Sequence, residues 1–456
     1  MMIKNFSQLA VSDLRKKALK IVESGMKAIF IKKIFQENIK IKNNFLFIRK
    51  EKIDLDKFNR IFIIGFGKGS SDAVLTIEKI LKNKIDDGIV IDTSHKNINS
   101  RIKYLKGNHP IPSQKNIKAT KKIINLLKNT KKDDLVIIVI FGGGSALLTY
   151  PVVNLDIVRK INKQLLKSGK NIYEINTVRK HLDRVKGGGL AKFAYPAKIY
   201  SLICSDVPGN DLSIIASGPA VKDKTSKNDA KKILREIYPN KSDFLKKYNI
   251  EKNLIETTKN EKYFKNVKNI LIASNKVALQ EMKKEAKKLG FKKVKIYSYK
   301  IQGEARETGK ILLDKCKNKE VLLSGGETTV TVKGNGKGGR NQELVLGALE
   351  KISEKSLIIS IASDGKDNTN AAGAIGDIHT KKKAEKMNLN PQNYLQNNNS
   401  YNFFKKTGDL IFSKRGANVA DLMLIIKLYD CYDKDYNYIF NYCSALSFNQ
   451  YQITRL

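Results

Sequence analysis

Between Leu135 and Leu155 the chain carries no charge, a stretch long enough to cross a bilayer. Gly142, Gly143 and Gly144 interrupt it, however, and Pro151 follows. Glycine and proline punctuate regular structure, so the run predicts a buried strand over Leu135–Ile140, a glycine turn and a short helix. A strand this uniformly apolar must be covered on both faces, as a central strand of a parallel sheet is.

The rest of the chain repeats that arrangement. From about Ser12 to Ile39 apolar residues recur at helical spacing. Strand-like Ile61–Ile64 runs into Gly65–Ser70 and a helix carrying Ala73, Leu75 and Ile80. Strand Gly88–Ile91 ends at Asp92, a helix near Ile117–Leu127 precedes the central strand, and Ile199–Cys204 ends at Ser205 and Asp206. The Lys-rich segment Asp223–Lys268 reads as helical and as a connection between domains. Alternation resumes with strand Ile270–Ala273, helix Val277–Leu289, strand Val294–Tyr297, helix Glu304–Leu313 and strands Val321–Leu323 and Leu357–Ala362. This order predicts an α/β protein. Its expected parts are a Rossmann-like parallel-sheet domain over residues 1–240, a smaller α/β domain over 241–428, and a tail, 429–456, with no assignable role.

The 456 residues carry a formal charge of +42, which raises the question of nucleic acid or an anionic membrane as a partner. Lysine is spread over nearly every helical segment, though, and no basic stripe interleaved with aromatics stands out. A nucleic-acid face needs clustering, so no nucleic-acid partner is expected, and no membrane. Cys204, Cys316, Cys431 and Cys443 form no CxxC pair, which fits a reducing compartment. The N-terminus shows no signal-peptide pattern, so a cytoplasmic location is expected. Oligomeric state is left open, a homodimer included.

Chemistry concentrates where strands end, the ligand-binding edge of open α/β sheets. Gly65-Phe-Gly-Lys-Gly-Ser70 partly fits the dinucleotide fingerprint, with Asp92 near the place of a ribose-binding acid. A nicotinamide-dependent enzyme is therefore an alternative reading. Lys68 tilts the balance toward a phosphate, because it puts a cation on a glycine turn facing a helix N-terminus. Gly67 shares that turn. Gly143, Gly144 and Ser145 could line an anion nest, although Ser145 could equally be a plain helix cap. In Asn176–Gly189, Arg179 and Lys186 are fixed cations suited to phosphoryl oxygens, while His181 alone reads as structural. Asp206 and Asp211 suit magnesium, which takes few protein ligands; Asp211 could instead cap a helix.

In the second half, Ser324-Gly-Gly-Glu-Thr-Thr-Val330 supplies Gly325, Gly326 and Glu327 as substrate or phosphate contacts. Gly338-Gly-Arg-Asn-Gln-Glu343 supplies Arg340, able to clamp an anion bidentately, and Asn341. Ser363-Asp-Gly-Lys-Asp367 supplies Asp364, at a strand terminus, to hold metal or accept the proton of a hydroxyl nucleophile. No G-x-x-x-x-G-K-[ST] occurs and the protein-kinase set is absent.

Taken in order, these motifs, with Asn108-His-Pro-Ile-Pro112, Gly408-Asp-Leu and Asn418-Val-Ala-Asp-Leu422, resemble the glycerate 2-kinase family, whose C-terminal half is called the MOFRL domain. The resemblance runs from roughly Ser12 to Leu428. It departs at Lys414-Arg-Gly-Ala-Asn418, where Thr-Gly-x-Asn is usual, and at Asp364-Gly-Lys-Asp-Asn368, where a simple Asp-Gly repeat is usual. It implies transfer of the ATP γ-phosphate to the 2-hydroxyl of D-glycerate with magnesium, between two domains, with Lys68 and Arg340 at the family's positions for active-site cations.

Overall fold

The computed structural model describes residues 1–94, 100–239 and 242–428. The expected tail and the cysteines at 431 and 443 lie outside the described residues. Three small strands, β1 (Ile39–Lys42), β2 (Phe45–Ile48) and β3 (Glu51–Asp54), form an antiparallel sheet in sequence order. The chain then builds β4 (Arg60–Phe66), β5 (Asp87–Asp92), β6 (Ile102–Lys106), β7 (Asp134–Ile140), β8 (Lys198–Cys204) and β9 (Val267–Ala273). These lie in the order β6-β5-β4-β7-β8-β9, all parallel. The uncharged run behaves as its composition requires: every residue of β7 is buried.

Strand order reverses between β4 and β7. Successive crossovers leave β4 toward one edge and β7 toward the other, so the loops that follow them splay apart and open a crevice at the strands' carboxyl ends. The expected Gly65–Ser70 and Gly142–Ser145 turns are those two loops.

The second sheet comprises β10 (Lys293–Ile301), β11 (Glu320–Gly326), β12 (Ser356–Ala362), β13 (Gly373–Asp377), β14 (Leu410–Ile411) and β15 (Asp421–Lys427), in the order β10-β11-β15-β12-β13-β14. Only β10 and β11 pair in parallel; the other neighbours are antiparallel. Asp421, at the start of β15, pairs with Gly326 on one side and Ala362 on the other. The residues that leave β11 and β12, Glu327 and Asp364, therefore emerge beside Asp421.

The expected division at residue 240 is not where the sheets divide. β9 lies beyond it yet forms an edge of the first sheet, and a parallel edge strand betrays its sheet only through its crossover, not its composition. The N-terminus also crosses over. Helix Asp13–Ala28 packs on helix Asn275–Lys288 and on β15 and β12, so tightly that a Cβ on Gly25 would lie 2.6 Å from Met282 Cγ. Buried Arg15 joins it to the second sheet, donating to Asp377 through Nε (2.7 Å) and to Asp409 through Nη1 (2.7 Å). One apolar cluster accordingly runs from Ile63, Val139 and Leu202 of the first sheet, through Leu19 and Met26, to Leu323, Ile359 and Leu424 of the second.

Candidate active site

The turn after β4 places Lys68. Gly67 and Gly69 hold φ of +109° and +105°, a backbone region open to glycine and costly to other residues. A Cβ on Gly67 would also strike the Phe141 carbonyl. The Lys68 amide donates to Gly142 O at 2.9 Å, locking the two glycine turns together. Asp92 closes β5 beside the glycine turn, but its carboxylate is already engaged. It is buried, and its Oδ2 accepts from the Gly69 and Ser71 amides, both at 3.1 Å. It fills the N-terminus of helix Ser70–Leu81 with the protein's own carboxylate, which leaves that carboxylate engaged rather than free for a ribose hydroxyl. Asp367 does the same in the second half, accepting from the Asn341 and Gln342 amides at 3.1 and 2.9 Å at the start of helix Arg340–Ala348.

Arg340 is held rigidly. Its Nε and Nη2 donate to the two oxygens of Asp421 at 2.5 and 3.0 Å, and Nη1 lies 2.9 Å from Glu327 Oε1. Burial opposes the charge on Arg340, yet Asp421 and Glu327 outweigh it and keep the guanidinium above its ordinary pKa. Across the cleft, Asp206 follows β8. Its carboxylate rests against Gly142, where a Cβ would collide with it, and accepts from Asn418 Nδ2 at 3.2 Å.

These groups share one electrostatic environment. Burial pushes Asp206 up to about 6; Glu327 and Asp364 push the same way, and Lys68 opposes them. Glu327 is raised by burial, with Arg340 and Lys68 pulling it down and Asp421 and Asp364 pushing it up. Lys68 from one sheet and Arg340 from the other thus act on the same carboxylate. Among the described residues no preformed cluster of three or more acidic, His or Cys ligands exists. Magnesium does not need one, since it takes one or two carboxylates plus substrate oxygens. Hard oxygen donors that repel one another across the cleft fit such an ion, with Asp206 its first candidate and Glu327 and Asp364 near it.

The raised Asp206 carboxyl predicts a pH dependence. Its carboxyl is ionised above about 6, so kcat/KM should fall as pH drops through that value. Because a cation competes with the proton, raising magnesium should shift the midpoint to lower pH. Asp206→Asn should remove the shift, and a midpoint indifferent to magnesium in the unaltered protein would contradict this role.

A cavity of about 810 Å³ opens on the first-sheet side, lined by His109, Gly143, Ser145, Arg179 and Lys186 among others. Of the expected cations there, Arg179 donates to Asn162 Oδ1 at 2.7 Å and, among the described residues, has no carboxylate within ion-pair distance. Lys186 lines the same cavity and is buried in an ion pair with Asp183 at 2.5 Å. Ser145 Oγ meets Ser217 Oγ at 2.9 Å, and Ser217 donates to Asn176.

Other expected contacts also have structural work. Gly144 packs on Ala216, and Gly325 on Asn275. Gly326 leaves room for the Ile301 backbone. Asn341 is buried, donating to Asp367 at 3.2 Å and accepting from Ser360 at 2.6 Å. Asp211 accepts from the amide and hydroxyl of Ser213 at 2.9 and 2.8 Å, a local turn rather than a helix cap, since Ile214 takes the cap position of the turn that follows. Sequence reasoning missed Asp421, although an acid opening an otherwise apolar strand was a visible signal.

A parallel sheet with a lysine on its glycine turn and a mixed sheet with an arginine at a helix start define a two-part α/β protein. Residues 17–248 match the family described as Domain of unknown function (DUF4147), and residues 320–421 match the MOFRL family. Glycerate 2-kinase of Pyrococcus horikoshii is 37% identical over 91% of this chain and 97% of that protein. D-glycerate 2-kinase of Thermotoga maritima is 36% identical over 90% and 98%. The crystal structure of glycerate kinase from Thermotoga maritima matches with a TM-score of 0.79 at 35% identity, covering 91% of this chain and 99% of that one. A protein of Agrobacterium vitis named as a hydroxypyruvate reductase is 34% identical over 80% of this chain and 87% of its own. The chain belongs to the glycerate 2-kinase family.

Proposed function

We propose that this protein transfers the γ-phosphoryl group of ATP to the 2-hydroxyl of D-glycerate, giving 2-phosphoglycerate and ADP. The observation that carries the reading is the convergence of Lys68 and Arg340, from different sheets, on Glu327. Phosphoryl transfer depends mainly on positioning and on stabilising charge spread over the equatorial oxygens. Lys68 supplies a cation from the switch point of the first sheet. Arg340, fixed by Asp421, offers its remaining N–H donors from the second. Asp364, half-buried with Oδ1 accepting from the Lys366 amide at 3.1 Å, orients the attacking hydroxyl. A magnesium ion held by Asp206, with Glu327 or Asp364, would neutralise nucleotide phosphate charge.

The cavity supports a nucleotide-sized ligand, because about 810 Å³ is far more than a three-carbon acid fills. Arg179 faces it as a cation for phosphate. Among the described residues no helix is long and apolar enough to cross a membrane. We read the enzyme as cytoplasmic, acting on small molecules without a nucleic-acid partner; buried free thiols at Cys204 and Cys316 suit a reducing compartment.

Incubation with D-glycerate and either magnesium–ATP or NAD tests the reading. ADP release that depends on glycerate is expected. Reduction of NAD without ADP release would replace the reading with the dehydrogenase.

A further inference from the structure

His109 has no role in the scheme above, and its surroundings give it one. The residue follows β6 in the Asn108–Pro112 loop and lines the cavity with Ser145 and Arg179. A Cβ at Gly143 would lie 2.8 Å from His109 Cδ2, 2.9 Å from Nε2 and 3.3 Å from Lys68 Cε. The imidazole, the glycine turn and the Lys68 side chain therefore meet beside the cavity. Among the described residues neither ring nitrogen has a hydrogen-bond partner. The polar edge of this half-buried ring is therefore available to a ligand in the cavity.

We propose that His109 is a substrate-binding residue whose uncharged imidazole donates a hydrogen bond to an anionic oxygen held between Lys68 and the Gly143 turn. Two substrates of the proposed reaction, on which this inference rests, carry such oxygens: the carboxylate of the hydroxy acid and the phosphates of the nucleotide. Burial, aided by the Lys68 charge, lowers the ring's pKa to about 4. The other charged groups lining the cavity, Arg159, Lys160, Lys163, Arg179 and the Asp183–Lys186 pair, are mostly cationic and favour the same neutral state. A neutral donor orients an anion without adding a further full charge, and so without holding an anionic product too tightly. This division of labour gives Lys68 the charge and His109 the direction.

The test is calorimetric binding to the full chain, which needs no turnover. Titrants are D-glycerate and a non-hydrolysable ATP analogue with magnesium, against unaltered protein, His109→Leu and His109→Gln. His109→Leu is expected to weaken one ligand at least tenfold and leave the other within about twofold. His109→Gln, which keeps a neutral donor, should restore most of the affinity. Loss on the glycerate arm assigns the contact to the carboxylate, and loss on the nucleotide arm assigns it to phosphate. Unchanged binding of both ligands by His109→Leu would overturn the inference. So would equal loss of both with a lowered melting temperature, the signature of a structural residue. If the unaltered protein bound neither ligand, the functional reading itself would fall.

Discussion

Replacing Lys68 with methionine is expected to lower kcat by about 10²–10³-fold, the usual consequence of removing a preorganised group that stabilises transition-state charge. The fold should survive, because among the described residues Lys68 has no carboxylate within ion-pair distance and its loss orphans no buried acid. A second consequence separates this from a general defect. Lys68 pulls the Asp206 pKa down, so the acid limb of kcat/KM in Lys68→Met should move to higher pH. Lys68→Arg should recover little, since a planar guanidinium must fit a space already shared with His109 and the Gly143 turn. Steady-state kinetics with a thermal melt decide it. Near-normal kcat in Lys68→Met would remove Lys68 from the mechanism.

Arg340→Ala should behave differently, losing activity and stability together. Its carboxylate partner Asp421 is buried, with a side chain 1% exposed, and truncating one member of a buried pair typically costs about 3–5 kcal/mol because the other is left uncompensated. A neutral partner separates the two effects. In Arg340→Ala with Asp421→Asn the orphaned charge is gone, so most of the lost melting temperature should return while turnover stays orders of magnitude low. Recovery of both would make Arg340 a structural residue only. Recovery of neither would mean the Asp421 pair is not the main source of its stability.

Where each residue stands in a sequence decides how much of this could be read beforehand. The turns at Gly67–Gly69 and Gly142–Gly144 are local features: strand, glycines and helix follow one another, and composition alone places them at a sheet edge. Lys68, Arg340, Asp364 and Glu327 are legible on that basis, and in the structure Lys68, Arg340 and Asp364 all act electrostatically on Glu327. What escaped depends on register and long-range pairing. Asp421 becomes Arg340's partner only because β15 runs antiparallel between β11 and β12. Asp92 looks like a ligand-binding acid until the N-terminus of the neighbouring helix claims it. Lys186 has the right charge for phosphate, but Asp183 three residues earlier neutralises it. Helix Asp13–Ala28 was legible as a helix, yet nothing in it announces that it packs beneath the far sheet.

The account rests on two sheets delivering charge to one phosphoryl group and a hydroxyl of glycerate to its phosphorus. Phosphorus NMR of a mixture of the protein, magnesium, ATP and D-glycerate reads this directly, since 2- and 3-phosphoglycerate give distinct signals. The account expects 2-phosphoglycerate to accumulate in step with ADP, and Lys68→Met and Arg340→Ala each to suppress both. A product phosphorylated at the 3-hydroxyl, or no phosphorylated glycerate at all, would contradict it.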